Sequence, residues 1–327
     1  MYRFIDTVSI DVMSITRYHS NRKPKEEGIV EAGTQGEVRL GGGVIHYRDV
    51  GTGPALVFVH GILANGTLWR DVVARLSGQF RCIVPDLPLG GHSAAMHSEV
   101  DMSPAGVARM VAGLMEELDL RDVTLVGNDT GGAICQVVIS NHPECVGRLV
   151  LTNCDAYEAF FPVLLRPIQY AARLFGTRFV DLLAWALRAR FAQRALFKTV
   201  AIRHIDEATL DAYAGRLLLD AGVRRDLARF LSEVSSRYTL EAAQSFPGFD
   251  FPVLIAWGDK DPFFSPRLAL RLQRDFPNAR LEAVAGSRAF VPEDGPGQLA
   301  RLIEEFFDEE GVTGPRGGLR EGALSGD

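Results

Sequence analysis

The chain has 327 residues, 47% of them hydrophobic and 23% charged, which is ordinary for a globular protein and excludes global disorder. Its 35 basic and 41 acidic side chains give a net charge of −6, so no basic excess exists to hold a phosphate backbone and nucleic acid is excluded as a partner. Cys82, Cys135, Cys145 and Cys154 show neither Cys-x-x-Cys nor Cys/His spacing and read as reduced core thiols, with no metal site and no disulfide frame.

The first residues, MYRFIDTVSIDVMSITRYHS, carry Asp6 and Asp11 where a secretory signal needs an unbroken apolar run. No stretch approaches the roughly 18–20 clean apolar residues of a membrane span. The expectation is a soluble cytoplasmic protein with a small-molecule substrate, no membrane partner and a possible homodimer. Residues 1–36 read as an N-terminal extension, with the solvated cluster NRKPKEEG and no sustained periodicity.

From there strand and helix signals alternate. GVIHYRDVG alternates as a strand, and ALVFVHG is a short β-branched run of the kind buried in a parallel sheet. TLWRDVVARL reads as helix, FRCIVPD as strand, and SPAGVARMVAGLMEEL as helix with Ser103 as its cap and Pro104 at its first position. DVTLVG, GGAICQVVISNHP and GRLVLTN follow as strand, helix and strand. FPVLIAWGDKD, SPRLALRLQRDF, ARLEAVAG and GQLARLIEEFF close the series in the same alternation. The pattern predicts an α/β fold, a mostly parallel doubly wound sheet with helices on both faces.

Strand signals vanish over residues 155–246, which read as a helical cap inserted between two strands; the core is then 37–154 and 247–307. From Ala156 to Phe246 there are 13 Lys/Arg against 9 Asp/Glu. This local basic excess reads as solvated arginines on outer helix faces, or else as a basic mouth for an anionic ligand. The Gly-rich polar end, 308–327, is expected to be disordered.

The chemistry centres on Gly127-Asn128-Asp129-Thr130-Gly131, directly after a strand and directly before a helix. Such a tight turn needs glycines around a strained central residue, whose side chain it presents at the sheet's C-terminal edge. His60-Gly61 closes an apolar strand, Trp257-Gly258-Asp259-Lys260-Asp261 follows another, and Phe290–Pro296 reads FVPEDGP. With these motifs in this order the chain resembles the α/β-hydrolase superfamily over roughly residues 37–307, cap included. With Asp at the turn it resembles the haloalkane dehalogenase and epoxide hydrolase branch. The resemblance implies that Asp129 is the nucleophile, that the backbone N–H groups of Ile62 and Thr130 form the oxyanion hole, and that Asp261 stands at the acid position. Asp155, just after GRLVLTN, stands where some Asp-nucleophile members keep their acid instead. His60, Arg288, Ala289 and the cap residue Trp185 are the expected substrate contacts.

Two departures bear on turnover. The family's His immediately before Phe-Val-Pro-Glu-Asp is Ala289 here, and no histidine follows His204. The Asn and Trp that hold a leaving halide are Ile62 and Thr130, which favours the epoxide chemistry over the halide. A cap tyrosine, among Tyr157, Tyr170, Tyr213 and Tyr238, would protonate the opening oxygen; His204 would be a substitute base. Surplus carboxylates beside Asp129 raise one another's pKa, which leaves one protonated as an acid. No cofactor is expected, since no Gly-x-Gly-x-x-Gly follows a strand. Three readings follow: a hydrolase with Asp129 as nucleophile on a small apolar substrate, a non-hydrolytic acid/base enzyme on the same scaffold, and a ligand-binding protein without catalysis.

Overall fold

The structure, a computed structural model, describes residues 33–40 and 42–312; the rest of the expected N-terminal extension and tail lies outside these residues. Eight strands form one sheet in the order β1-β2-β4-β3-β5-β6-β7-β8. These are β1 (Thr34–Leu40), β2 (Gly43–Val50), β3 (Ala55–Val59), β4 (Arg81–Pro85), β5 (Val123–Asp129), β6 (Val146–Cys154), β7 (Val253–Gly258) and β8 (Ala279–Val284). The β1–β2 and β2–β4 pairs are antiparallel and the others parallel. The runs of Val, Leu and Ile in β3, β5, β6 and β7 are buried almost throughout because helices cover both faces of these central strands. Each such side chain gains about 1.5–3 kcal/mol by leaving water.

Strand β1 begins three residues before the expected core boundary and escapes the sequence reading. It lies at the sheet's edge and buries only Val38, so its pattern carries little of the two-residue periodicity that marks a strand. The core helices are α1 (Arg70–Leu76), α2 (Pro104–Glu117) and α3 (Thr130–Asn141) before the cap. The cap helices are α4 (Arg166–Phe175), α5 (Thr177–Ala186), α6 (Arg190–Val200), α7 (Glu207–Leu219), α8 (Ala221–Glu233) and α9 (Ser236–Ala243). After the cap come α10 (Pro266–Asp275), α11 (Val291–Asp294) and α12 (Pro296–Val312). Ser103 caps α2 by accepting the Gly106 N–H at 3.1 Å, with Pro104 next to it. Helix α12 runs to Val312, past the expected end of the core at 307, so 308–312 are helical and not part of a disordered tail.

All six cap helices fall between β6 and β7, and α4 and α5 pack on α8. Among the polar links that tie this layer to the core, two centre on buried carboxylates. Asp226 on α8 accepts the Met96 N–H at 2.7 Å and meets His92 Nε2 at 3.3 Å. Glu293, 1% exposed, accepts from Arg70 Nη1 and Nη2 at 2.6 and 2.8 Å and also from the Tyr213 hydroxyl of α7. Replacing Arg70 by Ala strands a buried carboxylate, and we expect a loss of about 2–3 kcal/mol in denaturant unfolding. A midpoint equal to wild type would mean that Glu293 finds another donor.

Candidate active site

Asp129 ends β5 and starts α3 with φ 56° and ψ −132°, a conformation that costs a non-glycine residue about 1–3 kcal/mol. Its neighbours must be small. A Cβ at Gly131 would collide with the Val59 carbonyl oxygen, and one at Gly61 would collide with the Asp129 carboxylate itself. Leu63 and Tyr157, in the loops after β3 and β6, also take positive φ, at 55° and 51°. Three strained turns thus converge at the C-terminal edge of the sheet, where the parallel strands β3, β5 and β6 end side by side.

The backbone N–H groups of Ile62 and Thr130 both donate to Asp129. Burial pushes its carboxyl up to about 7; the Asp261 charge adds to this, while the two amides pull the other way. Asp155 is 1% exposed, and its Oδ2 accepts from Thr130 Oγ1 at 3.1 Å while its Oδ1 is buried without a partner. Burial first, and the Asp129 charge second, hold Asp155 well above the usual carboxylate range. Asp261 accepts from Asn153 Nδ2 at 2.7 Å and from the Phe263 N–H at 2.8 Å, and burial still raises it. The three carboxyls expected from the sequence are therefore brought close enough for the charge of Asp261 to act on the other two.

Two asparagines hold this arrangement. Asn128 Nδ2 donates to Thr152 Oγ1 and to the Ala289 carbonyl, both at 2.7 Å, which fastens the loop after β8 to the turn at Asp129. Asn153 Oδ1 accepts the Gly258 N–H at 2.5 Å, which fixes the loop that carries Asp261. Sequence reasoning missed both. The available signal was an amide side chain one or two residues before an Asp at the end of an otherwise apolar buried strand, at Asn128 and again at Asn153.

Asp129 and Asp155 open onto a cavity of about 110 Å³ between the sheet edge and the cap. Its wall is otherwise apolar apart from Thr199: Ile62 and Phe290 from the core, Leu183 and Phe197 from the cap are representative. Several expected substrate contacts are corrected. His60 is fully buried beneath the turn, where its Nε2 accepts the Leu87 N–H and its Nδ1 faces the Gly61 carbonyl, each at 2.9 Å. Burial lowers its pKa, so it is a neutral strut without access to the cavity. Trp185 points away from the cavity and is 65% exposed, because the inward positions of α5 are Val180 and Ala184. Arg288 is half-buried off the cavity wall, with its guanidinium donating to the Lys198 carbonyl and its N–H to Asp294 Oδ2 at 2.8 Å, and its charge acts on Asp261. Ala289 is buried behind the cavity wall and meets it only through its neighbour Phe290.

The expected proton donor and substitute base are absent from the wall as well. The Tyr157 hydroxyl donates to Asp275 Oδ2 at 2.9 Å, Tyr213 serves Glu293, Tyr170 is exposed and Tyr238 pairs with Arg237. His204 lines a separate cavity of about 390 Å³ on the other side of Phe197. Among the described residues, Asp129 and Asp155 are thus the only ionisable groups on the wall of the inner cavity.

This architecture, a mostly parallel eight-stranded sheet with a strained Asp turn under a helical cap, defines a class of enzyme scaffold. The family profile described as alpha/beta hydrolase fold matches residues 54–296, and the chain belongs to that family. It is 29% identical to haloalkane dehalogenase 2 of Mycobacterium tuberculosis over 278 residues, 81% of this chain and 92% of that one. An uncharacterised M. tuberculosis protein is also 29% identical, over 80% of this chain and 77% of its own. Among solved structures, the epoxide hydrolase CorEH superposes with a TM-score of 0.73 at 21% identity, covering 85% of this chain and 99% of that one. The haloalkane dehalogenase DbeA of Bradyrhizobium elkani gives 0.73 at 17% identity, covering 86% and 100%. The chain is a member of the alpha/beta hydrolase fold family, similar in sequence to a haloalkane dehalogenase and similar in fold to an epoxide hydrolase.

Proposed function

We propose that the protein hydrolyses a small apolar epoxide, with Asp129 as nucleophile and Asp155 as acid and then base. The observation that carries this reading is the pair of carboxyls on an otherwise apolar wall, one held by two amides and the other raised well above the usual carboxylate range and left with a bare oxygen. Asp129 attacks a ring carbon and forms an ester as the ring C–O bond breaks. The ring oxygen takes the proton of Asp155. The Asp155 carboxylate then takes a proton from water, which adds to the ester carbonyl. The developing oxyanion lies on the Ile62 and Thr130 amides, and collapse releases the diol and restores both carboxyls. One residue acting first as acid and then as base removes the need for a histidine, as in retaining glycosidases.

A halide leaving group needs N–H donors, and beyond the two amides the wall offers none among the described residues. An epoxide oxygen needs a proton, which Asp155 carries. A cavity of about 150 Å³ is enough for benzene, so 110 Å³ suits a substrate smaller than that, of the size of propylene or butylene oxide.

The test is intact-protein mass spectrometry with propylene oxide, followed by single turnover in heavy-oxygen water. An adduct absent from Asp129→Asn, with label entering Asp129 before it enters the diol, is the expected result. Asp155→Asn should slow ring opening by about 10²–10⁴-fold. Label that enters the product directly would remove the nucleophile role. One observation favours the non-hydrolytic reading: a carboxyl at about 7 is half protonated at neutral pH and suited to proton transfer alone. That chemistry gives no adduct with any electrophile yet is still lost in Asp129→Asn, whereas simple ligand binding survives the substitution.

A further inference from the structure

Eight of the twelve large apolar side chains that stand exposed among the described residues fall in one stretch of the cap, from Leu164 to Ile202. Between Leu164 and Arg203 the sequence carries eight basic residues and one acid, Asp181, in a chain of net charge −6. Asp181 is already paired with Arg224 at 2.6 Å. Arg190, Arg194 and Arg203 have carboxylate partners on α7 and α1. Arg173 donates to the Ser232 and Val234 carbonyls at the end of α8, at 3.0 and 2.6 Å, whereas Arg178 and Arg188 are exposed and have no carboxylate partner among the described residues.

The helical period sorts these side chains onto two faces. On α5, Leu182, Trp185 and Arg178 lie opposite the buried Val180 and Ala184; on α4, Tyr170 and Leu174 lie opposite the buried Gln169 and Ala172. The buried faces rest on α8, and the intermediate positions Ile168 and Leu183 line the cavity above Asp129. The outer face therefore combines large apolar side chains, 60–75% exposed, with exposed guanidinium groups that have no carboxylate partner. Helices that lie in the headgroup boundary of a membrane have this composition.

We propose that the outer face of α4 and α5 docks on a bilayer surface of anionic phospholipid, which sets the cavity beside a reservoir of apolar molecules. Charge decides the occupant. A two-fold contact with a second copy would set these arginines against themselves, whereas anionic headgroups neutralise them while the acyl boundary covers Leu174, Leu182 and Trp185. No helix among the described residues is long and apolar enough to cross a membrane, so the contact is peripheral. It replaces the sequence expectation of no membrane partner, and it does not depend on the chemistry of Asp129.

The full chain carries its own reporter, since Trp69 and Trp257 are buried and Trp185 is exposed. On titration with vesicles of equal phosphatidylglycerol and phosphatidylcholine, the Trp185 emission should shift to the blue and be quenched by brominated acyl chains. Phosphatidylcholine alone should give neither effect, and added salt should weaken both. Combining Arg178→Glu with Arg188→Glu should cut partitioning by at least about tenfold. Leu174→Ser with Leu182→Ser should abolish the blue shift, and Asp129→Asn should retain both binding and shift. All these surface variants should melt as wild type does, which separates lost docking from lost folding. The proposal is overturned if anionic vesicles leave the emission unchanged, or if binding survives both the charge and the serine variants. It is equally overturned if Leu182→Ser dissolves a dimer while wild type ignores vesicles, because the occupant is then a second copy.

Discussion

Asp129→Asn is expected to remove catalysis and to stabilise the fold at the same time. Loss of the attacking carboxylate should cost at least about 10³-fold in kcat/KM, because both the bond-forming group and the site of the ester disappear. The stability change follows from the same burial. Asp129 keeps its proton up to about 7 in the folded chain but only to its ordinary value of 3.8 when unfolded. A proton is therefore bound more tightly by the native state, and stability is full below about pH 4 and falls as pH rises toward 7. Asparagine carries no charge to bury. It should raise stability by roughly 2–4 kcal/mol at pH 8 and by almost nothing at pH 4. Denaturant midpoints of both proteins at the two pH values test this. A variant less stable than wild type at pH 8 would mean that the Ile62 and Thr130 amides need the carboxylate more than burial opposes it. The reaction should show the complementary profile, with ester formation rising as pH passes through 7 and Asp129 ionises.

Ala289→His is the second large effect. If an ester on Asp129 accumulates, the slow step is its cleavage by water, which the Asp155 carboxylate activates less well than an imidazole would. An imidazole at position 289 would sit on the loop that Asn128 already fastens to the Asp129 turn. It would have Asp155 and Asp261 available to orient it. Turnover should rise by about 10²–10⁴-fold and the adduct seen by mass should vanish. Ala289 is fully buried, so some stability is expected to be lost by overpacking, about 1–3 kcal/mol. The ratio of ester cleavage to ester formation, measured in single turnover, isolates the chemistry from that loss. An adduct that persists in Ala289→His would show that water is kept out of the cavity, whatever base is present.

The sequence by itself determined the alternation of strand and helix, the strained turn at Asp129 and the helical insertion. Each is encoded locally: in runs of β-branched residues, in glycines at fixed offsets, in the loss of period-two patterning after Asp155. Edge strand β1 was illegible because it buries one side chain and so needs no apolar alternation. The tertiary structure alone decided which side chains meet. His60, adjacent to the Gly61–Ile62 turn in sequence, proved to be a strut, because its ring is spent on Leu87 and Gly61. Trp185, aromatic and in the cap, proved to face solvent, because the phase of α5 against α8 turns Val180 and Ala184 inward instead. Asn128 and Asn153 joined the site through loops more than 100 residues away, at 161 and 105 positions of separation. Local sequence sets backbone conformation and the polarity of each face. The rotation of one element against another, and the contacts that close over long separations, depend on packing that no single segment encodes.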